Sequence, residues 1–175
     1  NADSLADPRV TLVNDDAMRW LAEQPGTFDV VLVDFPDPHS FSVGKLYTQT
    51  FYERLKAHLA DDGAFAVQAT NPRLAPRSFW CIVRTLESVE FVARPYCAGV
   101  PSFGEWGFVL AKKASFAPPT ELPAGLRFLN PEYLARLFVL PQDVQPVEVE
   151  LNKLSTQALV RYYEGEASPR SARGA

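Results

Sequence analysis

The sequence has 175 residues, 47% of them hydrophobic and 22% charged, which suits one compact domain with an appendage and argues against general disorder. A formal charge of -4 argues against a nucleic-acid partner, because neutralising phosphates needs a concentrated basic face. Two cysteines and two histidines, isolated from one another, give neither a zinc nor a redox spacing, so no metal site is expected. In chain order, residues 10–13 read as a strand and residues 16–22 as a short helix. Residues 28–35 form a nearly continuous apolar run, the pattern of a strand buried on both faces. Tyr47, Phe51, Leu55 and Leu59 recur every four residues and predict an amphipathic helix. Asp62-Gly63 predicts a turn into a buried strand over residues 64–68. Phe79, Val83 and Leu86 then share one face of a second helix, with Pro76 near its start. Residues 91–100 and 106–111 predict two closing antiparallel strands.

Strands alternating with helices predict an α/β class, a doubly wound sheet, over residues 1–114. Residues 115–124 are proline-rich and read as a linker. A small α+β extension is expected over 125–165, with helices at 131–139 and 156–163 and a short strand at 147–151. Residues 166–175 read as a disordered tail. Cys81 and Cys97 read as buried free thiols, which points to a reducing, cytoplasmic-side compartment. No apolar run reaches the roughly 18 residues that span a bilayer. The chain opens at Asn1 rather than Met, as a piece of a longer protein would.

Ligands of open α/β sheets bind outside the carboxyl ends of the strands. Asp15, Asp16, Asp34, Asp37 and Gln68 all fall at such ends. The strongest cluster is Asp34-Phe-Pro-Asp37-Pro38, where a buried strand runs into a proline-stiffened loop. Two carboxylates three positions apart can converge on a cation, although Asp and Pro also build ordinary turns. Tyr47, Tyr52 and Trp80 read as packing residues, Trp106 as core or pocket wall, and Asp15 and His39 as solvent-facing.

The longer order of residues is more specific. Phe28-Asp-Val-Val-Leu-Val-Asp34, Asp37-Pro38, Leu46-Tyr47-Thr48, Phe51-Tyr52, Asp62-Gly63 and Gln68 together resemble the spermidine synthase family. Asp7-Pro-Arg-Val-Thr-Leu-Val, Asp16-Ala17, Val100-Pro-Ser-Phe103 and Gly107-Phe108 extend that resemblance over residues 8–113. Asp-Phe-Pro-Asp-Pro replaces the Asp-Ser-Ser-Asp-Pro of many members. It is similar to a bacterial branch with upstream membrane spans, which implies a membrane tether outside this chain.

The resemblance implies transfer of an aminopropyl group from decarboxylated S-adenosylmethionine, a co-substrate rather than a bound cofactor, to a small polyamine such as putrescine. It makes Asp34 the catalytic carboxylate, Asp37 the amine anchor, and Asp16 and Ala17 the adenine contacts. Gln68 would line the site. Phe103 stands where a Tyr often meets the amine, and Glu105 would substitute for the missing hydroxyl. An alkyl amine with a pKa of ~10.4 must lose a proton at pH 7 at a cost of about 4.6 kcal/mol before it can attack. Carboxylates attract the dication yet favour its protonated form. A division of labour resolves this, with Asp37 holding the distal ammonium and Asp34 accepting the proton.

The glycine-rich turn and ribose-binding acid that such enzymes use for the donor are missing; the nine glycines are scattered and no Gly-x-Gly occurs. The implied fold is therefore a partial Rossmann-like, methyltransferase-type sheet lacking its first two strands. With strands ~4.8 Å apart, their absence leaves a gap of roughly 14 Å between the expected strand at 10–13 and the strand at 28–35. Exposed edges there predict self-association into a homo-oligomer. A methyltransferase and a non-catalytic association module are the competing functions. The paired acids disfavour the first, and the missing donor turn favours the second for the chain alone.

Overall fold

The computed structural model describes residues 4–102 and 104–167. Asp16 opens the first helix, α1 (Ala17–Glu23), by accepting from the backbone N–H of Met18 at 2.9 Å and of Arg19 at 3.3 Å. β1 (Phe28–Val33) follows, then a short helix α2 (Phe41–Gly44) that tightens into a 3-10 turn at Lys45–Tyr47. Thr48 caps α3 (Gln49–Ala57), where Phe51 and Leu55 face the core as expected; Tyr47 and Leu59, the ends of the expected helical repeat, are buried too but lie in the 3-10 turn and in the strand that follows. β2 (Leu59–Gln68) starts earlier than the pattern suggests. Asp62-Gly63 lies in its irregular register against β1, between the Phe28↔Leu59 and Val30↔Ala64 pairs. α4 (Pro76–Ser88) places Pro at its first turn, where the missing N–H costs nothing. β3 (Val92–Val100), β4 (Gly104–Lys112), α5 (Pro131–Leu137) and α6 (Ala158–Ala167) complete the described elements.

The sheet order is β1-β2-β4-β3, with β1 and β2 parallel and the other pairings antiparallel. This is the expected mixed α/β class. Period-two alternation sends Phe65, Val67, Val109 and Ala111 to one face, where Phe51, Leu55, Phe79, Val83 and Leu86 bury them. Each Val, Leu or Phe among them contributes roughly 1.5–3 kcal/mol when fully buried. Val144, Ala158, Leu159 and Tyr162 belong to the same core, so the C-terminal segment is packed onto the body. Cys81 is buried and Cys97 half-buried, and both are free thiols.

Four expectations need correction. Residues 10–13 form no strand; Val10, Leu12 and Val13 are exposed, and among the described residues no neighbouring strand takes their backbone groups. β1 is not buried on both faces: it pairs on one side only, and Val30 and Leu32 are 65% and 78% exposed. Residues 147–151 form no strand either, because local groups satisfy their backbone. Glu150 N–H donates to the Tyr162 hydroxyl at 3.0 Å, and its carbonyl accepts from the Cys81 thiol at 3.2 Å. Helix α6 runs through Ala167, so Glu166 and Ala167 belong to it rather than to the expected tail, and residues 168–175 lie outside the described residues. Among the described residues, no helix is long and apolar enough to cross a membrane.

Candidate active site

Asp34 follows the last residue of β1 and is exposed; Asp37 is half-buried three residues on. The loop between them is tied down from below. The fully buried Tyr47 donates its hydroxyl to the carbonyls of Phe35 and Pro36, both at 3.2 Å. The Phe35 ring meets Tyr47 and Phe51 edge-on, with centroids 6.0 and 5.6 Å apart. Gln68, at the end of β2, donates through Nε2 to the Phe35 carbonyl at 3.0 Å and to Asp37 Oδ1 at 3.1 Å. Its Oε1 accepts from Thr70 N at 2.5 Å and from Trp106 Nε1 at 3.1 Å, and those two donors fix which way the amide points. Asp37 Oδ2 accepts from the Tyr163 hydroxyl at 2.7 Å.

Neither Asp34 nor Asp37 has a Lys, Arg or His within ion-pair distance among the described residues, whereas several other acids do. Their charges are felt nearby. Burial, then Asp37 and Asp34, push the Tyr47 hydroxyl well above its ordinary value. Burial and then Asp37 push Tyr163 up to about 12. A cleft of about 590 Å³ is lined by Asp34, Asp37 and Gln68 together with Leu32, Trp106 and Phe108. It presents two uncompensated carboxylates beside apolar walls, which suits an amine with an alkyl chain.

The support for Gln68 carries strain. Thr70 sits at φ 64°, which a β-branched residue adopts at a cost of roughly 1–3 kcal/mol. That conformation aims its N–H at Gln68. A Cβ on Gly107 would stand 2.8 Å from the Thr70 carbonyl oxygen and 2.7 Å from the Phe79 ring. Gly107→Ala is therefore expected to lose about 1–3 kcal/mol of stability by overpacking. Thermal denaturation checks it, and an unshifted midpoint would mean that the strand yields freely there.

The structure brings together Asp34, Asp37 and Gln68, and adds Trp106. It does not bring Glu105 to the cleft: Arg73 Nε holds that carboxylate at 2.6 Å, and Arg73 also pairs with Asp143. Asp16 and Ala17 begin α1, away from the cleft lining. Lys45 Nζ lies 2.5 Å from Asp16, and this contact chiefly holds its carboxyl below the usual range. Phe103 lies outside the described residues. Asp15, expected to be solvated, is exposed but paired with Arg19. His39 is exposed as expected, with Nδ1 2.8 Å from the Asp37 carbonyl oxygen. Tyr163 was not legible as a site residue, since its contact with Asp37 spans 126 positions.

The sequence pattern of the spermine/spermidine synthase domain matches residues 1–119. Polyamine aminopropyltransferase 2 of Ralstonia nicotianae is 48% identical over 166 residues, which cover 94% of this chain and 32% of that protein. Polyamine aminopropyltransferase of Leptospira interrogans is 47% identical over 166 residues, covering 95% and 33%. The chain thus spans about a third of the length of these curated relatives. A spermidine synthase solved in complex with the transition state analogue AdoDATO superposes with a TM-score of 0.70 at 25% identity, over 82% of this chain and 53% of that one.

Proposed function

The chain belongs to the spermine/spermidine synthase family, and from that premise we propose that it supplies the amine side of an aminopropyl transfer. The donor is decarboxylated S-adenosylmethionine, the acceptor putrescine, and the products spermidine and methylthioadenosine. The observation that carries this reading is the pair Asp34 and Asp37 at the end of β1, both lining one cleft and both without a cationic partner among the described residues.

In the proposed reaction, the lone pair of the amine attacks the propyl carbon bonded to the sulfonium. The C–S bond breaks, its electrons remain on sulfur, and the neutral thioether departs. Asp34 takes the proton that the reacting ammonium must give up to free that lone pair. Asp37 holds the distal ammonium, so that the reacting nitrogen meets the other carboxylate. Positive charge moves from sulfur to nitrogen along a path faced by two carboxylates, which lowers the barrier electrostatically. Asp16 and Ala17, at the start of α1, are assigned to the adenine.

The test is turnover by a full-length protein carrying this chain, given putrescine and the decarboxylated donor, with products resolved chromatographically. Spermidine and methylthioadenosine in equal amounts are expected. A protein that transfers methyl groups and never aminopropyl would sink the proposal. The anchor role makes a separate prediction: Asp37→Asn should raise the amine KM about tenfold or more while leaving the donor KM nearly unchanged. Equal losses toward both substrates would point instead to collapse of the Pro36–Pro38 loop. We also propose a cytoplasmic-side location, supported by the free thiols Cys81 and Cys97. Self-association through the open β1 edge is supported by the exposure of Val30 and Leu32.

A further inference from the structure

Asp37 is held by two neutral donors, one on each oxygen: Gln68 Nε2 on Oδ1 at 3.1 Å and the Tyr163 hydroxyl on Oδ2 at 2.7 Å. Neutral donors fix the plane of a carboxylate without discharging it. One lone pair on each oxygen is left for an ammonium. Gln68 comes from β2, inside the matched family span, whereas Tyr163 comes from α6, well beyond residue 119.

Helix α6 is itself pinned on both sides of Tyr163. Ala75 gives α4 no side-chain cap, and the carboxylate of Glu166 takes that part. It accepts from Arg77 N at 2.7 Å, Ser78 N at 3.0 Å and Ser78 Oγ at 2.7 Å. The Tyr162 hydroxyl accepts from Glu150 N at 3.0 Å, and the Arg77 guanidinium lies 4.0 Å from the centroid of the Tyr162 ring. Asn152 Oδ1 accepts from Leu159 N at 3.3 Å. Tyr163 thus sits between anchored neighbours, and its hydroxyl stays protonated at neutral pH, as a donor must.

We propose that Tyr163 is a positioning residue for amine recognition: its hydroxyl orients the Asp37 carboxylate, and through it α6 becomes a determinant of acceptor binding. The proposal rests on the aminopropyl-transfer reading above. It makes the C-terminal helix part of the acceptor site, so a change in α6 retunes amine binding without touching the donor. Tyr163→Phe isolates the hydroxyl, because it keeps the ring and its packing.

The experiment compares wild type, Tyr163→Phe and Asp37→Asn in a full-length protein carrying this chain, with each substrate varied and thermal midpoints recorded. Tyr163→Phe is expected to raise the amine KM about tenfold, several times more than kcat falls. The donor KM and the thermal midpoint should stay where they are. Calorimetric titration with putrescine should give the same ratio of affinities. An unchanged amine KM would overturn the proposal, and so would equal rises for both substrates with a lowered midpoint, the mark of a purely structural residue. A wild-type protein that binds putrescine but transfers no aminopropyl group would refute the underlying reading. The affinity ratio between wild type and Tyr163→Phe would still decide the role of Tyr163.

Discussion

Asp34→Asn should lower kcat by about 10²–10⁴-fold, the span over which a positioned general base contributes, equivalent to about 2.7–5.5 kcal/mol of barrier. The substitution keeps the side-chain volume and removes only the charge and the proton acceptor. The Asp34 side chain is exposed and makes no hydrogen bond or ion pair among the described residues, so the substitution removes no contact from the fold. The thermal midpoint should therefore stay within about 1–2 °C of wild type, as for other surface substitutions. An amide at this position can still accept a hydrogen bond from the amine. What it cannot do is take the proton or balance the positive charge arriving on nitrogen. Near-normal turnover in Asp34→Asn, measured at saturating levels of both substrates, would remove Asp34 from the chemistry. A comparable loss that tracked a falling midpoint would make it a structural residue instead.

The elements that the sequence makes legible are those whose hydrogen bonds and apolar faces are satisfied by near neighbours. The four-residue spacing of Phe51 and Leu55 announces α3 and Pro76 announces α4, and the two antiparallel strands β3 and β4 are joined by a short connection. Asp34, Asp37 and Gln68 were legible because strand ends in an α/β sheet meet at one edge whatever the side chains do. The failures have a common cause. An apolar run such as residues 10–13 reads as a strand only if another strand pairs with it, and pairing is not written in the run itself. Residues 147–151 likewise carry strand-like composition, yet Tyr162 and Cys81 supply the partners of Glu150 from helices. Glu105 lies in an accessible strand position, but Arg73, 32 positions earlier, captures its carboxylate. Local pattern cannot rank such competing partners. Tyr163 is the clearest case, because helical phase gives a residue its face and says nothing about an acid 126 positions away.

The largest loss of stability is expected from Asn152→Ala. Asn152 is fully buried and joins three parts of the chain. Its Nδ2 donates to the Gly44 carbonyl at 3.0 Å, its Oδ1 accepts from Leu159 N at 3.3 Å, and its backbone N–H donates to Thr85 Oγ1 at 3.0 Å. Its carbonyl accepts from Gln49 N at 3.0 Å at the start of α3. Truncation to Ala spares the backbone bonds but strands the Gly44 carbonyl and the Leu159 N–H in the interior. Each orphaned group costs about 1–3 kcal/mol, so a loss of roughly 2–6 kcal/mol is expected, a large part of the ~5–15 kcal/mol that holds a typical domain folded. At roughly 2–4 °C per kcal/mol for a chain of this size, the thermal midpoint should fall by about 4–24 °C. The function should follow the fold at this position. Gly44 is close enough to α6 that an added Cβ would strike Val160, so the bond that Asn152 makes to Gly44 also sets where α6 lies. With α6 loosened, the Tyr163 hydroxyl would leave Asp37 more often, and the amine KM should rise while the donor KM changes less. A midpoint within about 2 °C of wild type would mean that water replaces both lost partners and that Asn152 is not what fastens the C-terminal helix to the body.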